Sequence, residues 1–559
     1  MGRQGGGAGA GPDRAVVGRT RGGVGRAAVA ARGRGGHRGG CGARAVTGGS
    51  SSSQAWGHRR GTSRDVVAGL SVALLIIPQS MAYAELAGLP SVHGLYASAV
   101  PLLAAGLLAY CPYLQTGPVA LTALLTHGAL VTIAVPGSSE YVGAAALLAL
   151  VVGLTRLVIG FIAAGKVTYL MSQPVLRGFT SGASILILLS QFPSTLGMAG
   201  ASESGLVGRT LQVLGSPGSW SLAAAVLTVL TVAATLLARR IHVLFPGALV
   251  AVIGGVLFAV LFDYGGPVVG EIPGSFPPFS LVLPWEFLPQ LVVPGAVIAF
   301  VGFAESTAIA RSFATQDRVT WNPDREFVSQ GAANVASGLF GGMPVDGSFS
   351  RSSLNHLSGA QSRWSGAVTG LAVLVFLPFA GVLSSLPRAV LAGIVIAAVA
   401  GLVKPRLLVS VWRLSRIQAL VVWFTLTMCL LLAPRIEQAL LLGILVSLAI
   451  HVWRERRAGF HSRVEGDVLH LEVIGILWFA SAPRLEEAIM ARLARANDVS
   501  EVVIHLEGLG RIDLTGALVL KRVVEELGGS GIPATLTGVP PQARELIDNV
   551  FGMFPHKSL

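Results

Sequence analysis

A polytopic α-helical membrane protein with a small soluble α/β domain near its C-terminus is the fold class this sequence predicts, and three observations predict it. The chain has 559 residues, of which 52% are hydrophobic and only 12% charged, where a soluble protein carries about 25% charged residues. Its mean hydropathy is +0.68. Runs of roughly 20 apolar residues, long enough to cross a hydrocarbon core, recur from about residue 65 to 455. After His451 the composition turns charged and amphipathic.

The apolar runs read as spans near 66–88, 94–110, 118–135, 143–163, 175–193, 221–238 and 244–262. After a Gly/Pro-rich connection at 263–284, a second series follows near 291–314, 326–341, 347–358, 365–381, 386–403, 418–433 and 436–453. Seven plus seven makes 14 spans, in repeats of about 63–265 and 285–455 within a transmembrane domain at 63–455. Repeats of odd span number insert in opposite orientations, which gives an inverted symmetry. Basic clusters at 239–240 and 454–457 suit cytoplasmic ends. Residues 463–559 read as the α/β domain. Strands are expected at 468–473, 502–506 and 534–539, and helices at 484–496, 514–527 and 541–550, the helices from their three- and four-residue apolar spacing.

The net charge of +13 is concentrated at one end. Residues 1–60 hold eleven Arg and one acid, Asp13, leaving +3 for the rest of the chain. Residues 1–62 are a Gly/Arg-rich tail without apolar periodicity and cannot build a core, so they read as disordered. Such a tail could touch anionic lipid or nucleic acid. The simpler reading, a solvated tail or a stretch preceding the true start, is preferred, and no nucleic-acid partner is expected. Its arginines favour a cytoplasmic N-terminus. Cys41, Cys111 and Cys429 are too widely spaced for a disulfide framework or a metal site. No cofactor is expected. His93, His127 and His356 are isolated, and no nucleophile–base pair is visible, so the chain does not read as an enzyme.

Two polar interruptions carry the functional signal: QTGPVALT at 115–122 and VDGSFSRSS at 345–353. Backbone exposed by such a break is tolerated in a bilayer only where protein buries it or it lines a cavity. A pair of interrupted segments at corresponding places in two halves points to a transporter's binding site. Gln79 precedes Gly117 by 38 residues and Glu305 precedes Gly347 by 42, so each half places a polar side chain mid-span and then a Gly-containing helix start. Helix N-termini present unpaired N–H groups and about half a positive charge, so two of them aimed at one point make an anion site. Gly117 and Gly347 would let backbone approach the ligand. Pro118 suits a first helical turn, Ser348 and Ser350 can donate hydroxyl bonds, and Asp346 reads as the N-cap of the second helix start. Tight helix packing is the competing reading for the small residues.

Several segments resemble the sulfate permease (SulP) family of anion transporters: IPQSMAYAELAG (77–88) with LPSVHGLYAS (89–98), FAESTAIARSFA (303–314) and GGMPVDGSFSRSSLNHLSGA (341–360). VVIHLEGLGRIDLTGALVL (502–520) resembles that family's C-terminal STAS domain. The resemblance covers about 65–559. It implies 14 spans as two inverted seven-span repeats with a core and a gate domain, a homodimer, and an anion held between the facing starts of the third and tenth spans. It also implies that Gln79 and Tyr83 wall the site and that Arg351 supplies a fixed positive charge. Interhelical bonding, aromatic packing and interfacial snorkelling are the bland alternatives for these three.

A carboxylate within a span is costly to ionise, so Glu305 is a candidate proton carrier. Sodium-coupled relatives tend to have a hydroxyl one turn after this acid, where this chain has Ile309. Asp513 and Thr515 stand where related STAS domains present a phosphorylatable hydroxyl. Helix capping by Asp513 and simple exposure of Thr515 are preferred, with regulators of the domain left open. The expected function is secondary active, proton-coupled transport of an inorganic oxyanion, sulfate first, across the inner (plasma) membrane. Bicarbonate or dicarboxylate transport and anion exchange come next, and an anion channel last.

Overall fold

The computed structural model describes Trp56 and residues 61–166, 172–198, 206–241, 245–402, 405–455, 459–495 and 499–553. Residues 1–55 and 57–60, and with them the expectation that this stretch is disordered, lie outside the described residues, as does Cys41, whereas Thr62, expected in the tail, is the N-cap of the first helix, with a capping box to Asp65.

The first half runs through α1 (Ser63–Leu86), α2 (Ser91–Leu108), the two-residue strand β1 (Thr116–Gly117), α3 (Ala120–Leu130), α4 (Ser139–Phe161), α5 (Gln173–Thr195), α6 (Leu206–Leu214), α7 (Leu222–Ile241) and α8 (Gly247–Leu261). The second half has α9 (Leu288–Asp317), α10 (Pro323–Leu339), β2 (Asp346–Gly347), α11 (Phe349–Leu357), α12 (Trp364–Phe376), α13 (Arg388–Val399), α14 (Pro405–Leu414), α15 (Arg416–Leu431) and α16 (Ile436–Glu455). Every apolar stretch expected from the sequence coincides with a helix.

Among the described residues seven helical stretches are long and apolar enough to cross a membrane, those of α1, α2, α4, α5, α9, α12 and α16. Shorter apolar helices include α3, α7, α8, α13 and α15. The additional helices α6 and α14 have nine and ten residues, too short to span. In α14, Leu408 and Val411 are buried on one side while Arg406 is exposed. That amphipathic pattern lacks the uniform apolarity by which spans are read.

The helices fall into two packed groups. One joins α1–α4 to α9–α12, through α4 on α10, α2 on α12 and α2 on α10. The other joins α5, α7 and α8 to α13, α15 and α16, through α5 on α15, α7 on α13 and α5 on α13. The packing is reciprocal when each half's helices are exchanged in order, α6 and α14 aside. The pairs α4·α10 and α2·α12 exchange, as do α1·α12 and α9·α4, α5·α15 and α13·α7, and α7·α8 and α15·α16. Glycines permit the close contacts. A Cβ on Gly153 of α4 would meet the Gly331 carbonyl of α10 at 2.8 Å, and one on Gly370 of α12 would meet the Ala99 carbonyl of α2 at 2.6 Å. Small residues at helix contacts are the usual solution where lipid offers no hydrophobic drive.

The C-terminal domain contains β3 (Gly459–Glu465), β4 (Val468–Leu477), α17 (Ala482–Leu493), β5 (Glu501–His505), β6 (Leu509–Ile512), α18 (Leu514–Gly529), β7 (Ala534–Thr537) and α19 (Pro541–Met553). The sheet order is β3-β4-β5-β7, with β6 also paired to β4. Only the β3–β4 pair is antiparallel. Alternate residues Leu469, Leu471, Val473, Val502 and Ile504 are buried, against Leu485 of α17 and Leu520 of α18. The expected strands and helices all form. The domain begins four residues before the expected 463, because β3 is an edge strand carrying His461, Arg463 and Glu465. Such a polar edge lacks the apolar alternation that marks a strand in sequence.

Candidate functional site

The two interruptions meet. β1 and β2 pair antiparallel, with Thr116 opposite Gly347 and Gly117 opposite Asp346. The Ser348 N–H adds a bond to the Gln115 carbonyl at 3.1 Å. Each strand leads directly into a short helix, α3 or α11. Helix α10 clamps both breaks from behind. Gln330 Nε2 donates to Thr116 Oγ1 at 2.8 Å, and one turn on Asn334 both donates to the Val345 carbonyl and accepts its N–H, at 2.9 Å each.

Both helix starts lack caps. Val119 precedes α3 and Ser348 precedes α11, and neither side chain accepts a backbone N–H of its helix. Side-chain caps occur on α1, α4, α10 and α15, from Thr62, Ser138, Asn322 and Ser415, and are also missing from α2, α5, α8, α9, α12 and α13; what sets α3 and α11 apart is that they start at the paired breaks. The first intrahelical bonds reach Ala123 in α3 and Ser352 in α11, so the N–H groups ahead of them have no partner within their helix. Each start therefore carries partial positive charge close to the crossing of the two breaks.

Arg351 links the breaks. It is fully buried, and its Nη1 donates to the Pro118 carbonyl at 2.8 Å. Its Nη2 would lie 3.4 Å from a Cβ on Gly117, in van der Waals contact, so the guanidinium rests against the first break. Nε and Nη2 have no protein hydrogen-bond partner. A buried guanidinium with two unmatched N–H-bearing nitrogens beside two uncapped helix starts is chemically complementary to an oxyanion.

The other expected residues are distributed around this centre. Ile76 of α1 would touch a Cβ on Gly117 at 3.0 Å. Gln79 and Tyr83 follow at three and seven residues, on the same helix face. Both are buried, and Gln79 Oε1 has no hydrogen-bond partner. Ser348 is 8% exposed and Ser350 is exposed, with their hydroxyls 3.2 Å apart. Glu305 in α9 is partly exposed and lies within electrostatic range of Asp346 and Arg351, but no ion pair joins it to either. In the C-terminal domain, Asp513 caps α18 as expected, accepting the Gly516 N–H at 2.7 Å, and also accepts the Phe479 N–H at 3.1 Å. Thr515 is exposed.

Three expectations change. Pro118 does not occupy the first turn of α3. It precedes the N-cap Val119, and its contribution is the carbonyl that anchors Arg351. Asp346 is not the N-cap of α11, a position held by Ser348. The β1–β2 pairing carries Asp346 back towards α9 and α4. There its Oδ1 accepts from Ser306 Oγ at 2.6 Å and from the Gly347 N–H at 2.9 Å, while Oδ2 accepts from Arg156 Nη2 at 2.6 Å. Gly347 therefore does not offer its own N–H to a ligand. It is glycine because a Cβ there would meet Ser306 Oγ at 2.6 Å and Leu114 Cδ1 at 2.7 Å.

Sequence reasoning missed Arg156, Ser306, Gln330 and Asn334. Arg156 carried a signal, a lone cation in the middle of an apolar run. The other three are uncharged and need the fold to show their aim.

The arrangement defines a class: a helical membrane protein whose two broken segments cross to form a compact, positively biased site. The sulfate permease family model matches residues 63–425 and the STAS domain model matches residues 460–552, so the chain belongs to the sulfate permease family and carries a C-terminal STAS domain. It is 33% identical over 397 residues to "Sulfate transporter 4.1, chloroplastic" of Arabidopsis thaliana, covering 69% of this chain and 57% of that protein. It is 28% identical over 514 residues to the "Sodium-independent sulfate anion transporter" of Bos taurus, covering 85% and 83%. The chain spans about six-tenths of the length of the first relatives it matches. Its fold is that of murine Solute Carrier 26 family member A9, with a TM-score of 0.81 at 19% identity over 88% of each chain.

Proposed function

We propose that this protein is a secondary active transporter of inorganic oxyanions, sulfate first, and that the anion sits between the starts of α3 and α11. The observation that carries the reading is the unmatched face of Arg351 between two uncapped helix starts. Several relatives bear the name sulfate transporter. Gln79, Tyr83, Gly117, Pro118, Gly347, Ser348, Ser350 and Arg351 form the walls, Pro118 by its carbonyl and Gly347 by allowing close approach to α9.

The membrane domain is read as 14 spans in two inverted repeats, α6 and α14 excluded, and the reciprocal packing of the halves supports this. The α1–α4/α9–α12 group acts as the core that carries the anion. The α5–α8/α13–α16 group acts as the gate against which it moves in alternating access. The chain works as a homodimer in the inner (plasma) membrane, with the N-terminus and the STAS domain in the cytoplasm, where regulators of the STAS domain would act.

Glu305 is the proton-coupling group. Moving a divalent anion inward against 100 mV costs about 2.3 kcal/mol per charge, so uptake needs a cotransported cation. Ile309, one turn after Glu305, is 1% exposed within an apolar cluster with Phe313, and offers no sodium ligand.

The test is uptake of radiolabelled sulfate, bicarbonate and succinate into proteoliposomes, with and without an inward proton gradient. Saturable sulfate uptake accelerated by the gradient is expected. Uptake indifferent to the gradient removes the coupling role of Glu305. Preference for bicarbonate or succinate replaces sulfate as substrate, and bilayer currents far above carrier turnover replace transport by conduction.

A further inference from the structure

Arg156 and Arg351 are the two largest fully buried side chains among the described residues, and only Arg351 reaches the anion in the reading above. Arg156 stands in α4 behind the second break. Its Nη2 pairs with Asp346 Oδ2 at 2.6 Å, its Nη1 donates to the Val345 carbonyl at 3.2 Å, and its Nε donates to the Ala299 carbonyl of α9 at 3.2 Å. Both partners of the ion pair are fully buried. α9 is notched to admit the pair: a Cβ on Gly302 would overlap the Asp346 carboxylate and lie 2.6 Å from Arg156 Nη2.

The pair lies next to the site. Asp346 is bonded to Gly347 at the crossing of the breaks and lies within electrostatic range of both Arg351 and Glu305. A bare carboxylate there would offset the charge of Arg351 and repel an anion, and the effect would be large in a site shielded from water. Arg156 cancels it. A buried ion pair contributes little net stability compared with an apolar replacement, so stability alone does not account for this one.

We propose that Arg156 is a positioning residue that pins β2 and, by neutralising Asp346, leaves Arg351 as the fixed charge that sets the site's preference for anion valence. The inference rests on the proposed anion site. Its consequence is specific: the two partners have opposite electrostatic effects. Removing the Arg156 charge lowers affinity for a divalent anion more than for a monovalent one, and removing the Asp346 charge raises the divalent preference.

The experiment is equilibrium binding of sulfate and of nitrate to the purified full chain in detergent, with monodispersity checked by size-exclusion chromatography. Arg156→Met is expected to lower the sulfate-to-nitrate affinity ratio at least tenfold, and Arg156→Lys, which keeps the charge, to hold it within about threefold. Asp346→Asn is expected to raise the ratio, and the Arg156→Met/Asp346→Asn double variant to return it towards wild type. A purely structural role predicts losses in both single variants with the ratio unmoved, and that result overturns the proposal. If Arg156→Met does not fold, the direction of the Asp346→Asn change decides alone. Sulfate binding that survives with an unaltered ratio across the variants overturns this inference only. Absence of sulfate and nitrate binding to the wild-type chain overturns the anion site and this inference with it.

Discussion

Arg351 shows how much a single side chain contributes when its surroundings are arranged around it. One nitrogen is held by the Pro118 carbonyl and two are unmatched, so the guanidinium is tied to the first break without being spent on a protein carboxylate. A charge-assisted bond contributes about 1.5–3 kcal/mol, or roughly ten- to a hundredfold in affinity. Arg351→Ala should therefore lower the initial rate of sulfate uptake by at least about tenfold at subsaturating sulfate. Arg351→Lys, a point charge without the planar fork, should recover only part of it. Proteoliposome uptake at equal reconstitution measures both, and unaltered uptake in Arg351→Ala would remove this residue from the site. Ser350, exposed at the mouth of α11, was legible in the sequence as a hydroxyl beside a helix start, and the structure keeps that role open to it.

Helix ends decide the behaviour of whole elements. α3 and α11 begin without a side-chain cap, α3 at the buried Ala120 and α11 at the exposed Phe349, whereas α18 begins with Asp513 accepting from both Gly516 and Phe479. An uncapped start leaves its first N–H groups to be satisfied by water or a ligand, while a capped one is already supplied by the protein. Asp513→Ala should thus cost about 1 kcal/mol, within the 0.5–2 kcal/mol typical of lost caps. It should speed hydrogen exchange in the first turn of α18 about fivefold while leaving sulfate affinity in the membrane domain unchanged. Hydrogen-exchange mass spectrometry of the full chain reads the first effect and equilibrium sulfate binding the second. A fall in sulfate affinity would show that this domain acts on the site.

For the whole molecule, the two helix groups touch through few elements, chiefly α1 against α13 and α8, and α3 against α5 and α16. Gly128 of α3 is one such point. A side chain there would run into the Pro434 carbonyl ahead of α16, with Glu437 Oε2 at 3.8 Å. If transport moves one group past the other, this contact has to slide. Gly128→Leu should then depress uptake at least tenfold, with an overpacking cost on top because the carbonyl it meets is backbone. Transport assay and size-exclusion profile on the same preparation separate the two effects. Full uptake in Gly128→Leu would argue that this interface does not move.

The sequence by itself determined the helices, because uninterrupted apolarity over a span's length has one stable answer in lipid. It also determined where that answer fails, at 115–122 and 345–353, and it named Glu305 as a charge in an apolar run, while Arg351 was named by the family resemblance. It did not reveal α6, α14 or β3, whose apolar patterns are short or one-sided. Only the tertiary structure decided that the breaks cross as β1 and β2, that Gln330 and Asn334 on one helix clamp both, and that Asp346 turns away from α11 to meet Arg156. The physical reason is that a hydrogen bond or ion pair between residues 190 positions apart leaves no trace in local periodicity. The partner of a buried polar group is chosen by the packing of helices that the sequence specifies one at a time.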